Sequence, residues 1–234
     1  MDNKKNTILL TVIAVATLLV AVVGATFAYF TAQGGDTKST NVKVVTGTAG
    51  NSSFTVDGIL NLEASQTNFG KSEGSVPSTE VTGKVNFTAP GAAGGKSPET
   101  KDLQFCYSVS VTLDANSDTS KNFVYSLGDD KPELLLKITK NGSEITTLDD
   151  ATVIHKTNVT DRLKESYSGF DITTVTGKTL TIPGPHMLTA EAGQAATTDV
   201  WKVSITLVNY EDDQNLNVGK ALNGTLKFEK ANCA

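Results

Sequence analysis

Two stretches of this chain alternate strictly between apolar and polar residues, and that period of two constrains the fold more than any other feature. Phe105, Tyr107, Val109, Val111 and Leu113 hold the odd places of one stretch, with Gln104, Cys106, Ser108, Ser110 and Thr112 between them. Trp201, Val203, Ile205 and Leu207 repeat the pattern against Lys202, Ser204 and Thr206. Successive side chains of a strand point to opposite faces, so each stretch reads as a half-buried strand with one apolar side. Shorter alternations occur at Val85/Phe87, at Phe123/Tyr125/Leu127 and at Leu226/Phe228. Asn141-Gly142, between 134–139 and 145–148, predicts a hairpin because both residues accept positive φ. Thr176-Gly177 separates 170–175 from 178–182 in a similar way. One short helix is expected over 158–168, with Asn158 as N-cap, Val159 and Leu163 on one side and Gly169 at its end. Residues 64–80 and 89–102 read as exposed loops, the second carrying Pro90-Gly91-Ala92-Ala93-Gly94-Gly95. Many short strands with one helix and polar loops imply an all-β chain, a single β-sandwich over 41–234.

The start of the chain has a different character. Lys4 and Lys5 precede a stretch, 6–28, without any charge; its part 8–23 is almost wholly apolar, and Gly24-Ala25-Thr26-Phe27-Ala28 follows. A basic start, an apolar run and a small-residue exit are the three parts of a secretory signal, here with a cut between Ala28 and Tyr29. The same run is long enough to cross a bilayer as a helix of roughly 30 Å. Residues 1–28 are therefore either a cleaved signal peptide or a retained membrane anchor, and both readings put the rest of the chain outside the cytoplasmic membrane. Residues 29–40 are polar and flexible in composition, and Asn41-Val42-Lys43-Val44-Val45 reads as a strand.

Charge narrows the partners. Losing Lys4, Lys5 and Asp2 takes the 20 basic and 25 acidic residues to 18 and 24, so the net charge moves from −5 to −6. Arg162 is the only arginine. A nucleic-acid binder needs a basic face, usually with arginine forks for phosphate, so no nucleic acid is expected as partner. Cys106 and Cys233 are the only cysteines. In an exported chain they form a disulfide or remain two thiols, and the sequence leaves both open.

The run Gly24-Ala25-Thr26-Phe27-Ala28-Tyr29-Phe30-Thr31 resembles the specialised signal of the TasA/camelysin group of Gram-positive surface proteins, cut by a dedicated signal peptidase before an aromatic pair. The end of the chain is also similar: Trp201-Lys202-Val203-Ser204-Ile205-Thr206-Leu207, then Asp212-Asp213-Gln214-Asn215, Gly219-Lys220 and Gly224-Thr225. The resemblance covers about a third of the chain and is loose across 40–200. It implies a jelly-roll sandwich at the cell surface, some relatives of which build biofilm matrix fibres. In such fibres a freed N-terminal segment, here 41–45, adds as a strand to the next subunit. That is β-augmentation, in which a sheet edge gains main-chain hydrogen bonds from an extended peptide. The other reading of 41–45 is a strand of its own sandwich.

The camelysin name carries a metalloprotease reading, but zinc hydrolysis on a helix wants two histidines a turn apart and a glutamate base. His155 and His186 lie 31 residues apart in strand-like surroundings. His186 follows Pro183-Gly184-Pro185 and reads as a surface residue beyond a turn. Cys106 lies on the polar phase of its strand. No catalytic residue and no cofactor are expected. Asp213, Asn215 and Asn217 alternate as oxygen ligands do early in a calcium loop. The glycine comes one place late and no glutamate closes the loop, so the alternative is an acidic, solvated connection. The expected function is an exported structural subunit forming head-to-tail fibres of itself. The alternatives are a monomeric, membrane-anchored adhesion or binding module and, behind both, a camelysin-like metalloprotease.

Overall fold

The two alternating stretches lie at the heart of two facing antiparallel sheets. The computed structural model describes residues 51–65, 74–89, 103–128, 131–190 and 195–233. One sheet has seven strands: β1 (Asn51–Asp57), β3 (Val76–Thr88), β10 (Thr197–Leu207), β5 (Leu134–Lys140), β8 (Ser166–Asp171) and β7 (His155–Thr160) in spatial order, with β6 (Ser143–Glu144) paired to β5. The other has four, ordered β2 (Leu60–Glu63), β11 (Ala221–Lys230), β4 (Leu103–Leu113) and β9 (Lys178–Ala190). The chain changes sheet at each connection between these elements except from β5 through β8, so neighbours in sequence mostly face each other across the core. Phe105, Tyr107, Val109 and Val111 of β4 point at Trp201, Val203, Ile205 and Leu207 of β10, and all eight are buried. The even-numbered neighbours are more exposed apart from Cys106, which is 3 % exposed. Gly83 in β3 permits a close approach of the sheets, because a Cβ there would stand 2.4 Å from the Phe228 ring of β11.

Asn141 and Gly142 adopt φ of 51° and 83° and join β5 to β6, the positive-φ pair a two-residue hairpin needs. Other expectations are corrected. The helix over 158–168 does not form; β7 and β8 make a hairpin there, with Lys164 at φ 67° in the turn. Val159 stands opposite Tyr167 and packs with Leu135 and Val208 on the outer side of the large sheet. That tertiary contact outweighs a helix whose Leu163 is left 54 % exposed. Asn158, assigned as a cap, sits at φ 56° where the β7–β8 register shifts.

Thr176-Gly177 makes no hairpin either, since β8 and β9 belong to different sheets. The alternation at 123–127 forms no strand. Its backbone bonds go to side chains: Asn217 Oδ1 accepts from Val124 N (3.0 Å) and Glu133 Oε1 from Ser126 N (2.6 Å). Phe123 nevertheless enters the core. The loop expected over 64–80 is shorter than that, because β3 already pairs with β10 at Val76. Among the described residues no helix is long and apolar enough to cross a membrane. Ala28, Tyr29 and the run Asn41-Val42-Lys43-Val44-Val45 lie outside the described residues.

Candidate functional site

Among the described residues, three of the polar clusters lie at a concavity or between the sheets, each tied to a strand end or a connection. The first bridges the sheets. Asp199 is on the inward phase of β10, two residues before Trp201, and its carboxylate is buried. Lys140 Nζ, at the end of β5, lies 2.9 Å from Asp199 Oδ2, and Asn141 Nδ2 donates to Oδ1 at 2.7 Å. From the opposite sheet the Tyr107 hydroxyl donates to Asp199 Oδ2 and accepts from Trp201 Nε1 at 3.0 Å. Burial pushes the Asp199 carboxyl up, but the bonds from Tyr107, Lys140 and Asn141 prevail and hold it below its ordinary value. Burial and then Asp199 push the Tyr107 phenol far above its own. Both shifts favour the state in which Tyr107 donates and Asp199 accepts, so the cluster locks the two sheets in register.

His186 of β9 completes this cluster instead of lying on a surface turn. Its ring centroid is 4.8 Å from that of Trp201 and 5.5 Å from that of Tyr107. Its Nε2 is buried with no hydrogen-bond partner. Burial first, then the Lys140 charge, pulls the imidazole below its ordinary value, while Asp199 acts in the other direction.

The second place is an outer groove of ≈ 440 Å³ over β5–β8, lined by Lys137, Glu144, His155, Tyr167 and Ser168 among others. Glu144 is the hub. It meets His155 Nε2 at 2.9 Å, Ser168 Oγ at 2.9 Å and Lys137 Nζ at 3.4 Å. Burial raises the Glu144 carboxyl, and the bonds from Ser168 and His155 with the Lys137 charge outweigh it, leaving it below its ordinary value. Here Ser168 Oγ donates to the Glu144 carboxylate and not to the His155 ring, so the hydroxyl–imidazole contact of a serine–histidine pair is not formed in this groove. His155 and His186 are on strands of opposite sheets. Among the described residues no three His, Cys, Asp or Glu side chains gather as metal ligands would.

The third place is the connection from β10 to β11, where the calcium-type alternation lies. Asp213 and Asn215 stay at the surface, and Asp213 Oδ1 accepts from Asn215 N at 2.9 Å. They border a concavity of ≈ 240 Å³ together with Arg162. Asn217 turns the other way and is fully buried. Its Nδ2 donates to Val124 O (2.8 Å) and Glu133 Oε2 (2.6 Å). Glu133, itself fully buried, also accepts from Gln214 Nε2 at 2.8 Å and from Ser126 Oγ at 2.6 Å. The connection is thus solvated at Glu211, Asp212 and Asp213 but fastened to the core by Gln214 and Asn217. Sequence reasoning missed Glu133 and Asp199; the available signal was an acidic residue beside, or in phase with, a run of core residues.

Cys106 and Cys233 are joined, with Cα atoms 5.3 Å apart. The bond ties the segment just beyond β11 to β4, where Ala231 N also donates to Cys106 O at 2.9 Å. No family model, no curated protein and no solved structure matches this chain.

Proposed function

We propose that this chain is an exported structural protein of the cell surface that assembles into extracellular fibres by donating its N-terminal strand to the next copy. In this reading residues 1–28 form the signal helix, and a signal peptidase cuts between Ala28 and Tyr29. The freed segment carries Asn41-Val42-Lys43-Val44-Val45, and the sandwich wraps as a jelly roll of the TasA/camelysin kind. The observation that carries the reading is placement: the valine-rich run ends six residues before β1, and β1 is the terminal strand of its sheet among the described residues. A strand-forming segment is therefore tethered at a sheet border, the position from which β-augmentation proceeds.

A head-to-tail contact of this kind does not close on itself and so yields filaments. The test is intact mass and electron microscopy of protein released by cells that make the full chain, beside a chain lacking 29–45. Filaments of chains beginning at Tyr29, lost on the deletion, are expected. Monomers in both cases, across concentration, pH and calcium, would replace this reading with the anchored adhesion or binding module, which the groove around Glu144 and His155 would then serve.

A further inference from the structure

The turn between β7 and β8 and the connection between β10 and β11 border the concavity of ≈ 240 Å³, and Arg162, the only arginine of the chain, lines it. Both walls are fixed from within. Asp161 Oδ1 accepts from Leu163 N at 2.8 Å and from Glu165 N at 3.1 Å, which closes the turn. Arg162 N donates to Asn209 O at 2.9 Å and docks that turn on the end of β10. On the other side Gln214 Oε1 accepts from Tyr210 N at 2.8 Å, while Gln214 Nε2 donates to the buried Glu133. A concavity held in shape this way loses little freedom when something binds. Its volume is below the roughly 300–1,000 Å³ of sites for drug-sized ligands, so it fits a small molecule or the end of a larger one.

The charges around this space are not all paired. Glu211 meets Lys164 Nζ at 3.3 Å and Asp212 meets Lys131 Nζ at 2.6 Å. Arg162 and Asp213 line the same concavity, yet neither has an ion pair among the described residues and they do not bridge to each other. Arg162 Nε is buried without an acceptor. Buried donors are almost always paired, and a guanidinium cannot shed its charge to relieve the lack. Asp213 Oδ1 accepts from Asn215 N at 2.9 Å, which leaves most of the acceptor capacity of that carboxylate unused.

We propose that this concavity binds an α-aminocarboxylate group, with its carboxylate on Arg162 and its ammonium on Asp213. The planar guanidinium presents Nε–H and an Nη–H side by side, a fork that one carboxylate matches with two parallel bonds. The ammonium on the neighbouring carbon then supplies the donors that the Asp213 oxygens lack. Charge selects this class over its rivals. A phosphate or another multiply charged anion would meet the carboxylates of Glu211, Asp212 and Asp213 at close range, and a bare cation would face Arg162. A zwitterion answers both unpaired groups and adds no net charge. The group is either a free amino acid or the exposed end of a larger molecule, and the site does not depend on fibre assembly.

The test uses protein purified from cells that make the full chain on 15N medium. Because Arg162 is the only arginine, its Nε–H gives a single arginine signal in the magnetic resonance spectrum. Glycine is the probe, since it is the headgroup with nothing attached, and glycinamide and acetate each lack one of its charges. Glycine should shift the Arg162 Nε–H signal with a Kd of about 1 mM or tighter, and glycinamide and acetate should bind about tenfold more weakly or worse. In equilibrium dialysis Arg162→Lys and Asp213→Asn should each weaken glycine binding by about tenfold or more, with an unchanged melting temperature. Nε-dansyl-lysine carries the same headgroup on a bulky tail. Binding of both probes identifies the end of a larger molecule as the ligand, and binding of glycine alone identifies a free amino acid. No shift with glycine, acetate bound as tightly as glycine, or glycine affinity untouched by either substitution would overturn the proposal.

Discussion

Replacing Glu133 by Gln turns one oxygen of a fully buried carboxyl into an NH2 group, and both oxygens are already surrounded by donors. Oε1 accepts from Ser126 N and Ser126 Oγ, and Oε2 from Gln214 Nε2 and Asn217 Nδ2. If the NH2 takes the Oε1 place, the serine hydroxyl can rotate to accept from it, but the Ser126 N–H is left facing a donor. In the Oε2 place two amide groups lose their acceptor, and neither can flip. Asn217 is fixed by its two bonds to Val124, and Gln214 by Tyr210 N on one side and Val208 O on the other. An unsatisfied buried donor costs about 1–3 kcal/mol, so the gentler orientation sets the expected loss near 2 kcal/mol. In a domain of this size that lowers Tm by about 4–8 °C. Urea unfolding followed by Trp201 fluorescence measures it, with the exposed Asp213→Asn as a control expected within about 0.5 kcal/mol of wild type. A Glu133→Gln protein equal to that control would refute the argument that this carboxyl fastens the β10–β11 connection.

The remaining expectations concern the sheet interface and the disulfide. Because burial and Lys140 hold His186 below its ordinary value, the folded state binds fewer protons than the unfolded chain as pH falls below about 6.5. Its contribution is fully present above that pH and declines on acidification, so Tm should drop between pH 7 and pH 5 and the drop should be smaller in His186→Phe; equal slopes would contradict it. Val203→Asp puts an unpaired charge in the fully buried centre of β10 and should unfold the domain; circular dichroism showing an unchanged melt would show the inward face to be misassigned. Cys106 and Cys233 are separated by 127 residues, for which chain entropy gives about 4–5 kcal/mol. Cys106→Ser/Cys233→Ser should therefore lose up to that amount in denaturant unfolding, and a loss under 1 kcal/mol would mean the closed loop does not restrain the unfolded chain.

The strands were legible where one face is buried and the other wet, as at 105–113 and 201–207, because alternation records that asymmetry directly. The hairpin at Asn141-Gly142 was legible because positive φ restricts which residues serve. Connections were not. Thr176-Gly177 has turn chemistry whether the chain returns in its own sheet or crosses to the other, and local sequence does not distinguish the two. The helix expected over 158–168 rested on a cap and two apolar residues, and it gave way to packing against Leu135 and Val208, which lie far off in sequence. The buried carboxylates were hidden for the same reason. Asp199 and Glu133 are stable inside only because Lys140, Asn141 and Tyr107, or Ser126, Gln214 and Asn217, arrive from other elements.

Amide hydrogen exchange across residues 41–45 tests strand donation most directly. In filaments of the chain beginning at Tyr29 the amides of Val42, Val44 and Val45 should be strongly protected, and in monomers of the same chain they should exchange freely. Amides of 41–45 that still exchange freely in filaments, or that are already protected in the monomer, would contradict assembly by strand donation.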